Sequence, residues 1–197
     1  MYLALHGQTE WNVERRVQGH RDSPLTELGR QQAANVGRVL HGQRVDGIVS
    51  SPLGRTLETA RIIATELGLD TKTIVEEGLL KEVSLGQWEG FSHAEVEARW
   101  PDQLAGSNRH DWYFHSPDGE SYAVVAARLG AWLSAYALRE NLVVVTHGIA
   151  SRVLRGLYRG LRADEALELT IARDVVLYLH QGRETPVSEA VNQARAT

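Results

Sequence analysis

Leu142-Val143-Val144-Val145-Thr146-His147-Gly148 decides how the rest of the chain is read. Its first five residues have the unbroken apolar and β-branched character of a strand buried on both faces, which belongs to a parallel sheet covered by helices. A histidine and a glycine follow at once. The same order recurs at the start of the chain, where Tyr2-Leu3-Ala4-Leu5 is followed by His6-Gly7. In an open α/β sheet, ligands gather just beyond the carboxyl ends of the parallel strands, so if these two strands are neighbours both imidazoles meet in one crevice. A glycine after each histidine lets the backbone turn sharply and lets its N–H approach an anion.

Between these two runs, short strand-like segments alternate with amphipathic helices. Thr26 reads as the N-cap of a helix whose apolar residues Leu28, Ala33, Val36, Val39 and Leu40 recur at helical spacing as far as about Gly42. Gly47–Ser50 is a second strand. Ser51-Pro52 reads as an N-cap with proline at the first helical position, opening a helix that runs to Leu67 and stops at Gly68. Lys72–Glu76 reads as a third strand. Ser92-His93-Ala94-Glu95 has the form of a capping box, on a short helix that Pro101 ends. From Pro101 to Gly119 there is no period, only the aromatic cluster Trp112-Tyr113-Phe114-His115 in the longest loop. A long helix is expected from Ser121 to Arg139, and another from Ile149 to Tyr158 after the 142–146 strand. Two last strands, Leu169–Ala172 and Val175–His180, flank Arg173-Asp174 as a hairpin turn before a polar tail. The alternation implies an α/β fold, a three-layer α/β/α sandwich on a mainly parallel central sheet. One domain over 1–180 is expected, with a lid or insertion at 83–119 and a C-terminal tail at 181–197.

The composition bounds the function. A chain of 197 residues with 43% hydrophobic residues suffices for one core. Lys plus Arg total 21 against 25 Asp plus Glu, a formal net charge of -4, which does not attract nucleic acid or anionic lipid in bulk. With no cysteine there is no disulfide, thiolate metal site or cysteine nucleophile. The N-terminus lacks the basic region and apolar length of a signal peptide, and no run approaches the roughly 18 apolar residues of a membrane span. A cytoplasmic protein with no membrane or nucleic-acid partner is the expectation. No metal or cofactor is implied, since there is no HExxH motif and His110 and His115 read as loop residues.

Two further residues carry chemistry. Arg55, in Ser50-Ser51-Pro52-Leu53-Gly54-Arg55, falls in the first turn of a helix, where free backbone N–H groups, the dipole and a guanidinium together suit a phosphate or carboxylate. Glu82 precedes Gly86-Gln87-Trp88-Glu89-Gly90 and is placed to act as a general acid beside an aromatic crevice. The chain thereby resembles the histidine phosphatase superfamily, which includes the phosphoglycerate mutases and many small-metabolite phosphatases. The resemblance runs from His6 to about Tyr158. It rests on Leu5-His6-Gly7-Gln8-Thr9-Glu10-Trp11-Asn12, Gln18-Gly19, Asp22-Ser23-Pro24-Leu25-Thr26, the Arg55 and Glu82 segments, Pro117-Asp118-Gly119-Glu120-Ser121 and Thr146-His147-Gly148. It implies a phosphoglycerate mutase-like fold, His6 as the phosphorylated nucleophile and Glu82 as proton donor to the leaving oxygen. Arg55, Asn12 and His147 would form the phosphate pocket, with Gln18, Gly19 and Gly148 beside them.

One position departs from the family pattern. The family motif has arginine before the nucleophilic histidine, and here that residue is Leu5. Losing one preorganised transition-state donor costs about 2.7–4 kcal/mol, or on the order of 10²–10³ in rate. A slow phosphatase, recruitment of Arg15, Arg16 or Arg21 into the gap, and a phosphate-binding protein without turnover are the three outcomes left open. Hydrolysis is expected over phosphoglycerate mutase activity, because the stretch of about 35 residues between Glu82 and Pro117 leaves room only for a short, open lid. Trp112, Tyr113 and His115 on that lid would meet the non-phosphate part of a small phosphorylated metabolite. Arg15 and Arg16 would meet a carboxylate or second phosphate. The last hairpin offers a sheet edge to a second copy in a homodimer.

Overall fold

The structure, a computed structural model, describes residues 1–136, 141–170 and 173–187. Strands β1 (Tyr2–Leu5), β2 (Gly47–Ser50), β3 (Val75–Glu76), β4 (Leu142–Thr146), β5 (Val176–His180) and β6 (Arg183–Val187) form one sheet in the order β3-β2-β4-β1-β5-β6. The first four in that order are parallel, and β5 and β6 each run antiparallel to the strand before them. The two histidine-bearing strands are neighbours, with Tyr2 opposite Val143 and Leu5 opposite Thr146. Strand β4 lies inside the sheet and is buried at every residue, which is why its sequence shows no alternation.

The helices are α1 (Glu10–Val13), α2 (Glu27–Leu40), α3 (Gly54–Glu66), α4 (His93–Arg99), α5 (Pro101–Leu104), α6 (Tyr122–Tyr136), α7 (Gly148–Arg159) and α8 (Ala163–Leu167). Tyr2, Ala4, Ile48, Val143 and Val145 point to one face, where they pack with Val36, Leu40, Ala60 and Ile63 of α2 and α3. Leu3, Val49 and Val144 point to the other, against Leu129 and Trp132 of α6 and Val153 and Leu154 of α7. The period of two along each strand thus separates two cores, one under each helical layer.

Several local expectations hold and others are corrected. Thr26 caps α2, its Oγ1 accepting the Gly29 N–H at 3.0 Å, and Gly68 follows α3 with φ +69. Ser51 does not cap α3, which begins two residues after Pro52. Its first amides, from Gly54 and Arg55, instead donate to the carboxylate of Asp22, a cap supplied from 32 residues away. The third strand shrinks to Val75–Glu76 after a 3-10 turn at Thr71–Thr73. The capping box at Ser92 and Glu95 is present, and Pro101 both follows α4 and opens α5. The 101–119 stretch, which shows no period in the sequence, is not a bare loop, and with the helix expected at Ser92 it makes the 83–119 segment an ordered one. That segment folds into α4, α5 and a 3-10 turn at Trp112–His115 around Trp88, whose ring stacks on Trp112 at 5.8 Å and is fully buried. The expected end of α6 at Arg139 lies outside the described residues, as do Ile171 and Ala172. Leu169 and Thr170 are not in a strand, so the hairpin turn expected at Arg173-Asp174 moves to Gln181-Gly182. The tail expected from 181 contains β6, because Arg155 of α7, almost fully buried, draws Glu184 onto itself at 2.7 Å. Residues 188–197 lie outside the described residues.

Candidate active site

Parallel pairing of β1 and β4 brings His6 and His147 out of the sheet side by side, with ring centroids 5.3 Å apart. The loops beyond these strands enclose a crevice of about 370 Å³ lined by His6, Asn12, Arg15, Arg16, Gln18, Gly19, Arg55, Glu82, Trp112, Gly148 and Arg173, among others. Nearly all of the residues singled out from the sequence therefore converge. Tyr113 and His115 do not line it. Tyr113 turns into the core against Trp112 and Phe114, and His115 faces solvent near Asp111, because a 3-10 turn sends successive side chains in different directions.

The proton on His6 is fixed by its partner. Nδ1 lies 2.7 Å from the Gly7 carbonyl, which can only accept, so Nδ1 carries the hydrogen and Nε2 keeps its lone pair. Burial, followed by the charge of Arg55, lowers the His6 pKa from 6.5 to about 3, so the ring is neutral. His147 is pushed down as well, again chiefly by burial and then by Arg55. Its Nε2 meets the Ser51 hydroxyl at 2.8 Å, which is where the mistaken N-cap serine goes. Gly7 has a different use from the one expected. Its N–H donates to Thr59 Oγ1 rather than facing an anion, and a Cβ there would collide with the Gly29 carbonyl oxygen, so glycine allows the loop after β1 to pass against the first turn of α2.

Arg55 is buried, and its cradle explains the Asp22 segment. Its Nη1 donates to the Arg21 carbonyl at 2.7 Å and to Asp22 at 3.1 Å, and its Nη2 donates to the Gly19 carbonyl at 2.8 Å. Because Asp22 also takes the Gly54 and Arg55 amides, the start of α3 is already occupied by a carboxylate, and the guanidinium is the part left to face a ligand. Gly19 holds φ +53, and a Cβ there would lie 2.2 Å from Glu89 Oε1. That oxygen in turn accepts the His20 and Leu85 amides. Gln18 accepts from the Thr9 hydroxyl, and Asn12 Oδ1 accepts the Thr9 N–H in a capping box on α1.

Glu82 reaches the crevice through a strapped loop. Thr146 at the end of β4 donates to the Leu80 carbonyl at 2.8 Å, while Arg128 of α6 donates to the carbonyls of Leu79, Lys81 and Glu82. Its carboxylate accepts the N–H groups of Val83, Ile149 and Ala150, so it sits over the N-terminus of α7 with a fixed orientation. Buried Arg55 Nε and His147 Nδ1 have no hydrogen-bond partner among the described residues. Buried polar atoms left unpaired beside a concave site are satisfied by a ligand or by water. Sequence reasoning missed Asp22 as a cap, Ser51 as the partner of His147, and Arg173, which it assigned to a turn. Only the strand pairing reveals them.

Comparison with known proteins bears on the family and the fold. Residues 1–194 match the model of the histidine phosphatase superfamily (branch 1). The chain is 40% identical over 169 residues to a protein of Salmonella arizonae named "Probable phosphoglycerate mutase GpmB", covering 83% of this chain and 76% of that one. Among solved structures it resembles Bacillus stearothermophilus YhfR, with a TM-score of 0.79, 31% identity and 95% of each chain covered. It also resembles a mycobacterial glucosyl-3-phosphoglycerate phosphatase in complex with VO3, with a TM-score of 0.78, 30% identity and 95% and 96% of the two chains covered. The match of residues 1–194 to the family model, on a sheet that carries two adjacent histidines at the carboxyl ends of its parallel strands, places this protein in the histidine phosphatase superfamily.

Proposed function

We propose that the protein is a metal-independent phosphomonoester hydrolase acting on small phosphorylated metabolites through a phosphohistidine. The observation that carries this reading is the Nδ1–H to Gly7 carbonyl bond of His6, which leaves Nε2 as an unprotonated nucleophile in the crevice. The Nε2 lone pair attacks phosphorus in line, the P–N bond forms, and the P–O bond to the alcohol breaks. The Glu82 carboxyl gives its proton to the departing oxygen. Water then attacks phosphorus and passes a proton to the Glu82 carboxylate, the P–N bond breaks, orthophosphate leaves, and His6 is again neutral. Arg55 Nε and His147 Nδ1 offer donors to the equatorial oxygens, the Ser51 hydroxyl donating to His147 Nε2 so that Nδ1 carries hydrogen. Asn12, Gln18, Gly19 and Gly148 complete the phosphate end. Arg15, Arg16 and Trp112 also line the crevice, Arg16 being held by Glu14, Glu95 and the Gly90 carbonyl, so a second anion of the substrate would meet Arg15 and an apolar group would meet Trp112.

Hydrolysis of an aryl phosphate with chelator present tests this reading. Turnover is expected in the wild type, with a loss of at least about 10³ in His6→Ala and about 10²–10⁴ in Glu82→Gln. Acid-labile label on His6 after a quench would identify the intermediate. A mutase reading gains if 3-phosphoglycerate is isomerised without release of orthophosphate. Orthophosphate binding with no His6-dependent turnover would make the protein a binder on the same fold, the outcome that a leucine at position 5 favours.

A further inference from the structure

We infer that Arg173 is a phosphoryl-binding catalytic residue, its guanidinium reaching the transferring group from the side of β1 on which Leu5 offers no donor. The inference rests on the hydrolase reading above. Leu5 is buried and lines a separate cavity of about 230 Å³ with Leu3, Val175 and Leu177, together with the polar Ser151, Arg155 and Thr170. It is absent from the residues that line the crevice. Strand β5 runs antiparallel to β1, pairing Tyr178 with Tyr2 and Leu177 with Leu3, so the residues that precede β5 lie at the carboxyl end of β1. Continued at the same register, Val175 falls opposite Leu5 and residue 173 arrives just past His6. Arg173 does line the crevice together with His6, Arg55, Glu82 and Gly148.

The state of the side chain points the same way. Among the described residues Arg173 forms no hydrogen bond or ion pair. By contrast, Arg21 donates to the Glu89 carbonyl, and Arg16 is held by Glu14, Glu95 and the Gly90 carbonyl, so two of the three arginines expected to fill the gap are committed elsewhere. Burial lowers the Arg173 pKa and the charge of Glu82 opposes that, while Arg173 adds, after burial and Arg55, to the lowering at His6, so Arg173 interacts with both groups that flank a bound phosphoryl group. A planar fork with free donors beside nucleophile and acid suits a phosphoryl oxygen better than it suits solvent.

The test measures kcat/KM for an aryl phosphate and the dissociation constant of orthophosphate for the wild type, Arg173→Ala, Arg173→Lys, Leu5→Arg and the Leu5→Arg/Arg173→Ala double variant. Arg173→Ala is expected to lower kcat/KM by about 10²–10³ and to weaken orthophosphate at least about tenfold. Arg173→Lys should keep part of both, since a point charge remains without the fork. Leu5→Arg should raise kcat/KM at least about tenfold more in the Arg173→Ala background than in the wild type, a coupling that a structural role for Arg173 would not give. If the double variant does not fold, the lysine variant carries the comparison. Arg173→Ala within about threefold of wild type in both readouts, while His6→Ala removes turnover, overturns the inference and leaves the hydrolase reading intact. If the wild type has no His6-dependent turnover, the hydrolase reading fails and orthophosphate decides alone. Weaker binding in Arg173→Ala then upholds Arg173 as a phosphate ligand, and equal or absent binding overturns it.

Discussion

One hydrogen on His6 sets what this crevice can do. The Gly7 carbonyl holds it at Nδ1, and burial keeps a second proton off Nε2. The sign of the resulting pH dependence follows from linkage. The unfolded chain binds a proton at His6 as pH falls through about 6.5, whereas the folded protein does so only near 3. Folding stability from this group is therefore complete above about pH 6.5 and declines as pH drops towards 3, with His147 acting in the same direction. Histidine resonances followed by NMR in the free protein should show no titration of His6 between pH 7.5 and 5. A midpoint near 6.5 would remove the neutral nucleophile from the account. None of this is visible in the pair His6-Gly7 as letters, since the sequence supports a glycine turned towards an anion as readily as one that accepts from its own neighbour and packs on Gly29.

At the scale of elements, α3 is the clearest case of a local signal overruled. Ser51-Pro52 has the form of a helix start, yet the helix waits for Gly54, because Asp22 caps it from another loop and the Ser51 hydroxyl is turned to His147. Asp22 does two things at once, satisfying the first amides of α3 and bracing Arg55 Nη1. Asp22→Ala is expected to cost about 1–2 kcal/mol in stability, read from chemical denaturation, as loss of a strong cap does. It should also lower kcat/KM for an aryl phosphate more than its stability loss explains, because the Arg55 fork loses one of its three acceptors. Unchanged kcat/KM would show that the Gly19 and Arg21 carbonyls orient Arg55 without help. The segment from Trp88 to Trp112 shows the reverse case. Its aromatics are legible as a cluster, but which of them turn inward was decided by the 3-10 turn, which buries Tyr113 and leaves Trp112 over the crevice.

For the whole molecule, the sheet does not end at β5. Glu184 on β6 accepts from Arg155 at 2.7 and 2.8 Å and from Arg159 at 2.9 Å, and Arg155 is almost wholly buried on α7. The last strand is thereby tied to α7, the helix that follows His147. Glu184→Ala should destabilise the protein by about 2–3 kcal/mol, since a buried guanidinium loses its counter-charge while the carbonyl of Thr170 remains bonded to it. Thermal unfolding of the variant at pH 7 checks this, and a shift no larger than that of an exposed charge removal would show that β6 is held by backbone pairing alone. Among the described residues no helix is long and apolar enough to cross a membrane.

The alternation of strands and helices, the burial of β4 on both faces and the family were determined by the sequence alone, whereas the meeting of His6 and His147 followed once β1 paired with β4. The reason is that burial writes itself into local pattern: unbroken apolarity in β4, helical spacing in α2, and histidine-glycine after each strand. Tertiary structure alone decided what depends on partners distant in the chain. Asp22 at the start of α3, Ser51 at His147, Glu184 at Arg155 and Arg173 beside His6 are all such pairs. Each was out of reach because a polar side chain has several partners of nearly equal energy within its own loop, and only the packed sheet, by excluding water and fixing register, selects one.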